Sequence, residues 1–540
     1  MKTKLCFFIV LACNFIIAQG PNNSIAFNNS PYNSTNTLPT YTVAKPVAIS
    51  ANGFNFDLLD AGVSTRYAEI GSGFFKNKLI MVSSKKIGGL AKIDPNTHEA
   101  FKELFCLDID KNGSLSSPLL FSRIINTNAS EDQLTFSPDE NTVYYTRSSK
   151  DNSLEFKLYK AELEEDSHGN WINNQLLSVN DTNVSIETPF VNNTGDKLYF
   201  SANYPDAIGG FDLYVSTINA DGTLGTPVNL GNTVNTVADE KYPSLSIDNK
   251  YLYFSSKGHE NIGGYDLFVS KNSKNEFQVP RNMGNTINTV YDEIAYFLAA
   301  RNKAYVSSNR PNGKGGYDIY TAINNEVVQF IKGEILDLET QIKLPNTIVI
   351  LKDDEGNEID KTITAEDATF SFNVSPFESY NISTQKDGFK DTTVQFFANS
   401  GSETTYKKDI ELHTTEPVIA KVENEMRIVL ENIYFNFNKW NVKEESFISL
   451  NKVIKVLKAN PDMKLAVNAH TDNKGRDSYN LNLSNKRAVS AVSYLIENGI
   501  SKDRLVSKGY GETKPLIDCK TSCSDGDLQA NRRVEFVIVE

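Results

Sequence analysis

Residues 209–218 read GGFDLYVSTI, residues 263–271 GGYDLFVSK and residues 315–322 GGYDIYTA. The shared GG(F/Y)D opening recurs at intervals of 54 and 52 residues. Ahead of each copy stands another short apolar run: KLYFSAN at 197–203, YLYFSSK at 251–257 and KAYVSSN at 303–309. NLGNTVN at 229–235 and NMGNTIN at 282–288 keep the same period. Apolar or alternating runs of this length, bounded by Gly, Asn and Pro, are strand signals. Two fainter copies precede them, TVYYTRSS at 142–149 and KLIMVSSKKIGGLAKID at 78–94, which makes at least five units of about 53 residues. One such unit cannot bury its own apolar face, and packing units around an axis as blades solves that problem. The expectation is a multidomain chain that opens with an all-β propeller of five or six blades over 41–327.

These repeats resemble the WD-type repeats of TolB-like periplasmic propellers, over about half the chain. The resemblance implies a propeller and no particular ligand. Residues 328–412 change character to short strands joined by turns such as Asp354-Glu355-Gly356-Asn357. This stretch resembles the carboxypeptidase regulatory-like domain, a small all-β sandwich used as a spacer or protein-contact module. Polar residues 413–424 read as a linker.

The N-terminus, MKTKLCFFIVLACNFIIAQG, has basic Lys2 and Lys4, an apolar run and Ala18 before a plausible cleavage point. It reads as a secretory signal over 1–18. Val10-Leu11-Ala12-Cys13 resembles a lipobox, so lipidation at Cys13 stays open as the alternative to cleavage near Ala18. Residues 19–40, rich in Asn, Ser, Thr and Pro, read as a mobile leader. No later stretch approaches the roughly 18 apolar residues that a spanning helix needs. Of the five cysteines, Cys106 lies in the apolar run LFCL and reads as a core thiol. Cys519 and Cys523 lie in the loop CKTSC, where an exported compartment favours a disulfide. No metal site is expected, because His470 is the only histidine after His413.

The net charge of −13 argues against nucleic-acid binding, since no surplus of Lys and Arg is available to displace counterions. The charge is uneven: 425–540 carries 18 Lys+Arg against 15 Asp+Glu, while the preceding residues carry −16. Helical periodicity also begins here. Phe447, Leu450, Ile454 and Leu457 share one face and Pro461 ends it; a second helix is expected from about Leu481 to Glu497, burying Ala488, Ala491, Val492 and Leu495. With strands LAVNA and VEFVIV, 425–540 reads as an α/β sandwich.

The informative stretch is AHTDNKGRDSYNLNLSNKRA at 469–488. Asp472 ends a strand and opens a turn through Asn473-Lys474-Gly475. Asn480, Ser484 and Arg487 follow at i, i+4 and i+7 on one helix face. A carboxylate at a strand end and a guanidinium fork on the next helix can clamp a ligand bearing both an ammonium and a carboxylate. The same two residues could instead pair with each other as a helix–turn brace. The motifs TDxxG, NxxLSxxRA, GxGE and NRRVEF together resemble the OmpA-like C-terminal domain, a peptidoglycan-binding module of Gram-negative envelopes. The resemblance implies that Asp472 and Arg487 hold the zwitterionic end of diaminopimelate in the stem peptide. Asn480 matches a further family contact and Arg532 a position near the pocket. The family's first strand usually carries an acid where Tyr434-Phe435-Asn436-Phe437 places Asn436, so this chain would offer an uncharged amide there.

Other signals are discounted. Asp108-Ile109-Asp110-Lys111-Asn112-Gly113 begins like a calcium loop but has Leu119 where a bidentate Glu belongs, and reads as a hairpin turn. No G-x-S-x-G elbow accompanies the five histidines. The expectation is a non-enzymatic, cofactor-free protein of the periplasm, associated with the outer membrane and with peptidoglycan. Its propeller would present a surface to another envelope protein, in an arrangement like the anchors of outer-membrane machines, including type IX secretion and gliding systems. The alternatives are an envelope enzyme acting on cell-wall glycan or peptide, and a propeller that binds carbohydrate.

Overall fold

The computed structural model describes residues 52–540, apart from 86–92, 96–97, 99, 112, 151, 168, 182, 274–275, 326, 423, 431–432, 437, 520–522 and 540. The expected signal, Cys13, the leader and residues 41–51 lie outside the described residues. The chain is mostly β, built from several small sheets. Among the described residues no helix is long and apolar enough to cross a membrane.

The first part contains five antiparallel sheets in chain order. Their first strands are Glu69–Phe75, Glu131–Phe136, Ile186–Val191, Glu240–Leu245 and Glu293–Ala300. Each first strand packs against the next, and the last returns to the first, so the succession is cyclic. The outermost strand of the fifth sheet comes from the start of the domain: Phe56–Asp60 pairs antiparallel with Asp318–Asn324, Phe56 opposite Asn324.

Repeated residues make the repeated contacts. The first glycine of each GG(F/Y)D sits where a Cβ would lie 2.2 Å from the Ala238 carbonyl oxygen (Gly209), 2.3 Å from the Val290 carbonyl carbon (Gly263) or 1.7 Å from the Tyr67 carbonyl oxygen (Gly315). Only glycine permits that approach to the neighbouring sheet. The third contact reaches the first sheet, a second point of closure. Asparagine clamps one strand residue in four sheets. Asn126, Asn180, Asn235 and Asn288 accept from the backbone N–H of Leu104, Leu158, Leu213 and Leu267, at 2.8–2.9 Å, and donate to the same residues' carbonyls. At the calcium-like loop, Asp110 accepts from the Ser114 N–H and Ile109 bridges Leu115. Ile218 bridges Leu224 at the same place two units on, so both are hairpin turns.

Between Gln329 and Leu412, two four-stranded sheets enclose one core that includes Ile331, Val349, Leu351, Phe370, Phe372 and Ile382. Tyr251 donates to Glu378 at 2.5 Å, and Lys271 pairs with Glu378 at 2.7 Å and Asp354 at 3.0 Å, joining this body to the fourth sheet of the ring.

The last part is a five-stranded mixed sheet in the order Val418–Val422, Glu425–Val429, Val534–Val539, Lys464–His470, Leu505–Gly511. Half of the stretch read as linker is therefore an edge strand, paired with the next five residues. Helices α1 (Glu444–Ala459), α2 (Asp477–Glu497) and α3 (Asp525–Asn531) accompany the sheet. The α1 face reads as expected, with Leu450, Ile454 and Leu457 buried and Phe447 partly so. Helix α2 begins four residues before Leu481, because its first turn is polar and its apolar face starts at Leu483. The resemblance implies a strand at 434–437, but the described residues there make only an isolated bridge, Phe435 to Val442. There the Asn436 carbonyl accepts from the Lys439 N–H at 3.0 Å and turns the chain.

Candidate functional site

The adjacent parallel strands Lys464–His470 and Leu505–Gly511 end side by side, and α2 crosses them. The crossing is close. A Cβ on Gly509 would lie 2.2 Å from the Asn485 backbone nitrogen, so the GxG of GxGE is the surface on which the helix rests. Ser484, fully buried, accepts from the Gly511 N–H at 2.8 Å and donates to the Leu481 carbonyl at 3.0 Å. Asn485 accepts from the Gly509 N–H at 2.8 Å. These bonds fix the register of α2 over the strand ends and thereby place Asn480 and Arg487.

Asp472 follows the first strand and is nine-tenths buried. Its Oδ1 accepts from the Lys474 N–H at 3.0 Å, closing the TDxxG turn, and Gly475 completes that turn at φ 121°. Its Oδ2 accepts from Arg532 Nη1 at 2.5 Å. Asn480 is buried and donates to the carbonyls of Asp472 and Lys474, both at 3.3 Å, and to Glu512 Oε2 at 2.6 Å. One amide thus ties the turn to the end of the neighbouring strand.

Arg487 is 6% exposed, with its Nε donating to the Lys439 carbonyl at 3.1 Å and its guanidinium 4.8 Å from the Phe435 ring centroid. No described residue accepts from its two terminal nitrogens. Burial lowers its pKa, and the nearby Asp472 carboxylate opposes that shift. The brace alternative is not what the geometry shows: Asp472 spends its oxygens on the Lys474 N–H and Arg532, not on Arg487.

Of the sequence-derived residues, Asp472, Asn480, Arg487 and Arg532 come together. Asn436 is exposed and sits on the loop that supplies Phe435 and Lys439 beneath Arg487. Glu512, the last residue of GxGE, joins that cluster through Asn480; its signal in the sequence is a carboxylate just past the end of the strand beside the one that leads to Asp472. Cys519 and Cys523 are disulfide-bonded, and Cys106 is a half-buried free thiol. Beneath the site His470, 2% exposed, lies 3.4 Å from Glu535 and stacks on Tyr510. Burial pushes the Glu535 carboxyl up, but His470, Arg533 and Arg427 outweigh it and hold the carboxyl at about 2.

A larger cavity, about 770 Å³, lies within the ring, lined by residues of the five first strands such as Phe74, Thr135, Phe190, Leu245 and Phe297. Of the hydroxyls there, Thr135 accepts from the Val191 N–H and Ser244 donates to the Tyr296 carbonyl.

Residues 434–526 match the OmpA family. Over 116 residues the chain is 40% identical to the photosystem I chlorophyll a apoprotein A2 of Gloeobacter violaceus, which covers 21% of this chain and 13% of that protein. Over 120 residues it is 36% identical to outer membrane porin F of Pseudomonas aeruginosa, covering 22% of this chain and 32% of that one. Among solved structures, the peptidoglycan-associated lipoprotein from Burkholderia pseudomallei aligns at 25% identity and a TM-score of 0.19, over 20% of this chain and 89% of that chain. The chain therefore spans about a third or less of the length of these two sequence relatives.

Proposed function

We propose that residues 425–540 bind peptidoglycan non-covalently through the diaminopimelate of its stem peptide, and that the protein is a non-enzymatic anchor in the cell envelope. The observation that carries this reading is the pairing of a fixed carboxylate, Asp472, with a buried guanidinium, Arg487, whose terminal nitrogens no described residue engages. Such a site matches a ligand end that carries an ammonium and a carboxylate together. The OmpA family match over 434–526 supports the same ligand, and the outer-membrane name of the porin relative supports the envelope placement. On this reading Asn480 and Glu512 hold the turn, and Asn436 leaves the ligand's ammonium to Asp472. The protein then belongs to the periplasm, associated with peptidoglycan and the outer membrane.

The five cyclic sheets support reading the first part as a five-bladed propeller closed by Phe56–Asp60. The following two-sheet body fits a carboxypeptidase regulatory-like spacer. An envelope protein is the proposed partner of the propeller. The aromatic and aliphatic side chains in the cavity lining, Phe74, Phe190, Leu245 and Phe297, support an apolar peptide segment as its occupant. Service in a type IX secretion or gliding assembly rests on the domain order alone.

The test is sedimentation of the full chain with purified sacculi, with a free diaminopimelate-containing stem peptide as competitor. Binding that the peptide displaces supports the anchor; a chain that stays in the supernatant overturns it.

A further inference from the structure

The chain contains two tryptophans, and they are placed oppositely. Trp171 is fully buried in the ring, while Trp440 is 43% exposed on the loop that cradles Arg487. That loop reads Asn436-Phe437-Asn438-Lys439-Trp440-Asn441, and Asn436, Asn438, Trp440 and Asn441 are all exposed. The Lys439 carbonyl that accepts from Arg487 Nε is one peptide bond from Trp440. Lys486, the residue before Arg487 on α2, places its ammonium 4.3 Å from the Trp440 ring centroid and so holds the indole against the helix. A second exposed aromatic, Tyr479 (47%), hydrogen-bonds through its hydroxyl to Asn438. Tyr479 and Lys486 lie seven residues apart on α2, about 10 Å along its axis.

We propose that Trp440, with Asn438, Asn441 and Tyr479 around it, is a stacking subsite for a sugar ring of the glycan strand that carries the clamped stem peptide. The chemistry suits a sugar. The flat C–H face of a pyranose packs on the electron-rich face of an indole, and its hydroxyls pair with planar amides that both donate and accept. A large apolar side chain that stays half-exposed while braced from one side by a lysine is a platform, not core. Its place, one residue from the Arg487 contact, makes it continuous with the peptide clamp. The uncharged Asn436 belongs to the same loop and is exposed, and its amide can both donate to and accept from sugar hydroxyls. This inference rests on the anchor reading and extends it from the peptide to the glycan.

The experiment compares two ligands by calorimetry on the full chain: a diaminopimelate-containing tetrapeptide, and the same tetrapeptide carried on its disaccharide. The wild type is expected to bind the disaccharide form about 3- to 10-fold more tightly. Trp440→Ala should abolish that increment and leave the affinity for the free tetrapeptide unchanged. Trp440→Phe, which keeps a ring, should retain part of the increment and serves as the second variant should the alanine protein misfold. Equal wild-type affinities for the two ligands would overturn the proposal. So would a Trp440→Ala variant that loses both ligands equally, because the residue would then only brace Arg487 through Lys439. A wild type that binds neither ligand removes the anchor reading itself, and this proposal with it.

Discussion

Arg532 Nη1 lies 2.5 Å from Asp472 Oδ2, so the carboxylate assigned to the ligand's ammonium already has a cationic partner within the protein. Arg532 is about one-third exposed and is steadied by Gln529, which accepts from its Nε at 3.1 Å. The ion pair fixes the orientation of a nine-tenths-buried carboxylate, whose other oxygen accepts from the Lys474 N–H. Arg532→Ala should therefore weaken binding to sacculi modestly, by less than about 10-fold, since an exposed partner of this kind contributes roughly 1 kcal/mol. A loss as large as that of Asp472→Ala would mean that Arg532 touches the ligand itself.

Removing either side of the clamp should be far more damaging. Asp472→Ala or Arg487→Ala leaves one charge of a bound zwitterion unpaired in a partly desolvated site, which costs roughly 2–5 kcal/mol, or about 30-fold to several thousand-fold in affinity. Lys474→Ala, in the same turn with a side chain 68% exposed, is the control and should bind as wild type does. Sedimentation isotherms with sacculi give the three affinities.

The ring can be tested through one asparagine. Asn235→Ala removes both bonds to Leu213 and strands its buried N–H, at about 1–3 kcal/mol, while the Leu213 carbonyl keeps the Leu230 N–H at 3.0 Å. Urea unfolding should show the ring destabilised by roughly 1–3 kcal/mol. Asn219→Ala, in an exposed turn, should change stability by less than about 0.5 kcal/mol.

Acid should loosen the last domain through Glu535. Its folded value of about 2 lies below the ordinary 4.5, so its contribution is complete above about pH 4.5 and disappears as the pH falls toward 2. The contribution amounts to roughly 3 kcal/mol. Glu535→Gln should flatten the melting temperature between pH 5 and pH 2; an unchanged slope would assign acid sensitivity to other groups.

The disulfide spans a short loop, Cys519 to Cys523. Its reduction should cost about 1–3 kcal/mol and leave sacculus binding intact, because neither cysteine contacts Asp472 or Arg487. Peptide mapping of envelope-purified protein should find the two thiols linked.

The repeat and the cluster of Asp472, Asn480 and Arg487 were legible because each is local. GG(F/Y)D recurs at a fixed period, and Asp472, Asn480 and Arg487 lie within one strand–turn–helix unit. What escaped was distant or short. The closing strand FDLLD carries no motif, and its partner lies some 260 residues away. Arg532 reaches Asp472 across 60 residues, a pairing that no spacing rule states. Helix α3, capped by Ser524 with Asp527, was not foreseen, because seven residues with Leu528 as their buried apolar side chain make no visible periodicity. In the stretch 413–424, Val418 and Ile419 were too few to signal a strand whose partner begins at Glu425.

The closing strand has a mechanical consequence. Phe56, where the chain enters the ring, pairs with Asn324, where it leaves, so both ends of the domain emerge from one edge of one sheet. Tension between the two ends then acts on that edge alone and leaves the other four sheets outside the line of force. Because entry and exit are paired neighbours, the load falls on the Phe56–Asn324 end first and opens the strand pair one rung at a time, in the manner of a zip rather than in shear. The Phe56–Asn324 strand pair is thus a peelable seam at the entry and exit of the ring, while the Lys271 contacts to Glu378 and Asp354 give the next body a second hold, on the fourth sheet.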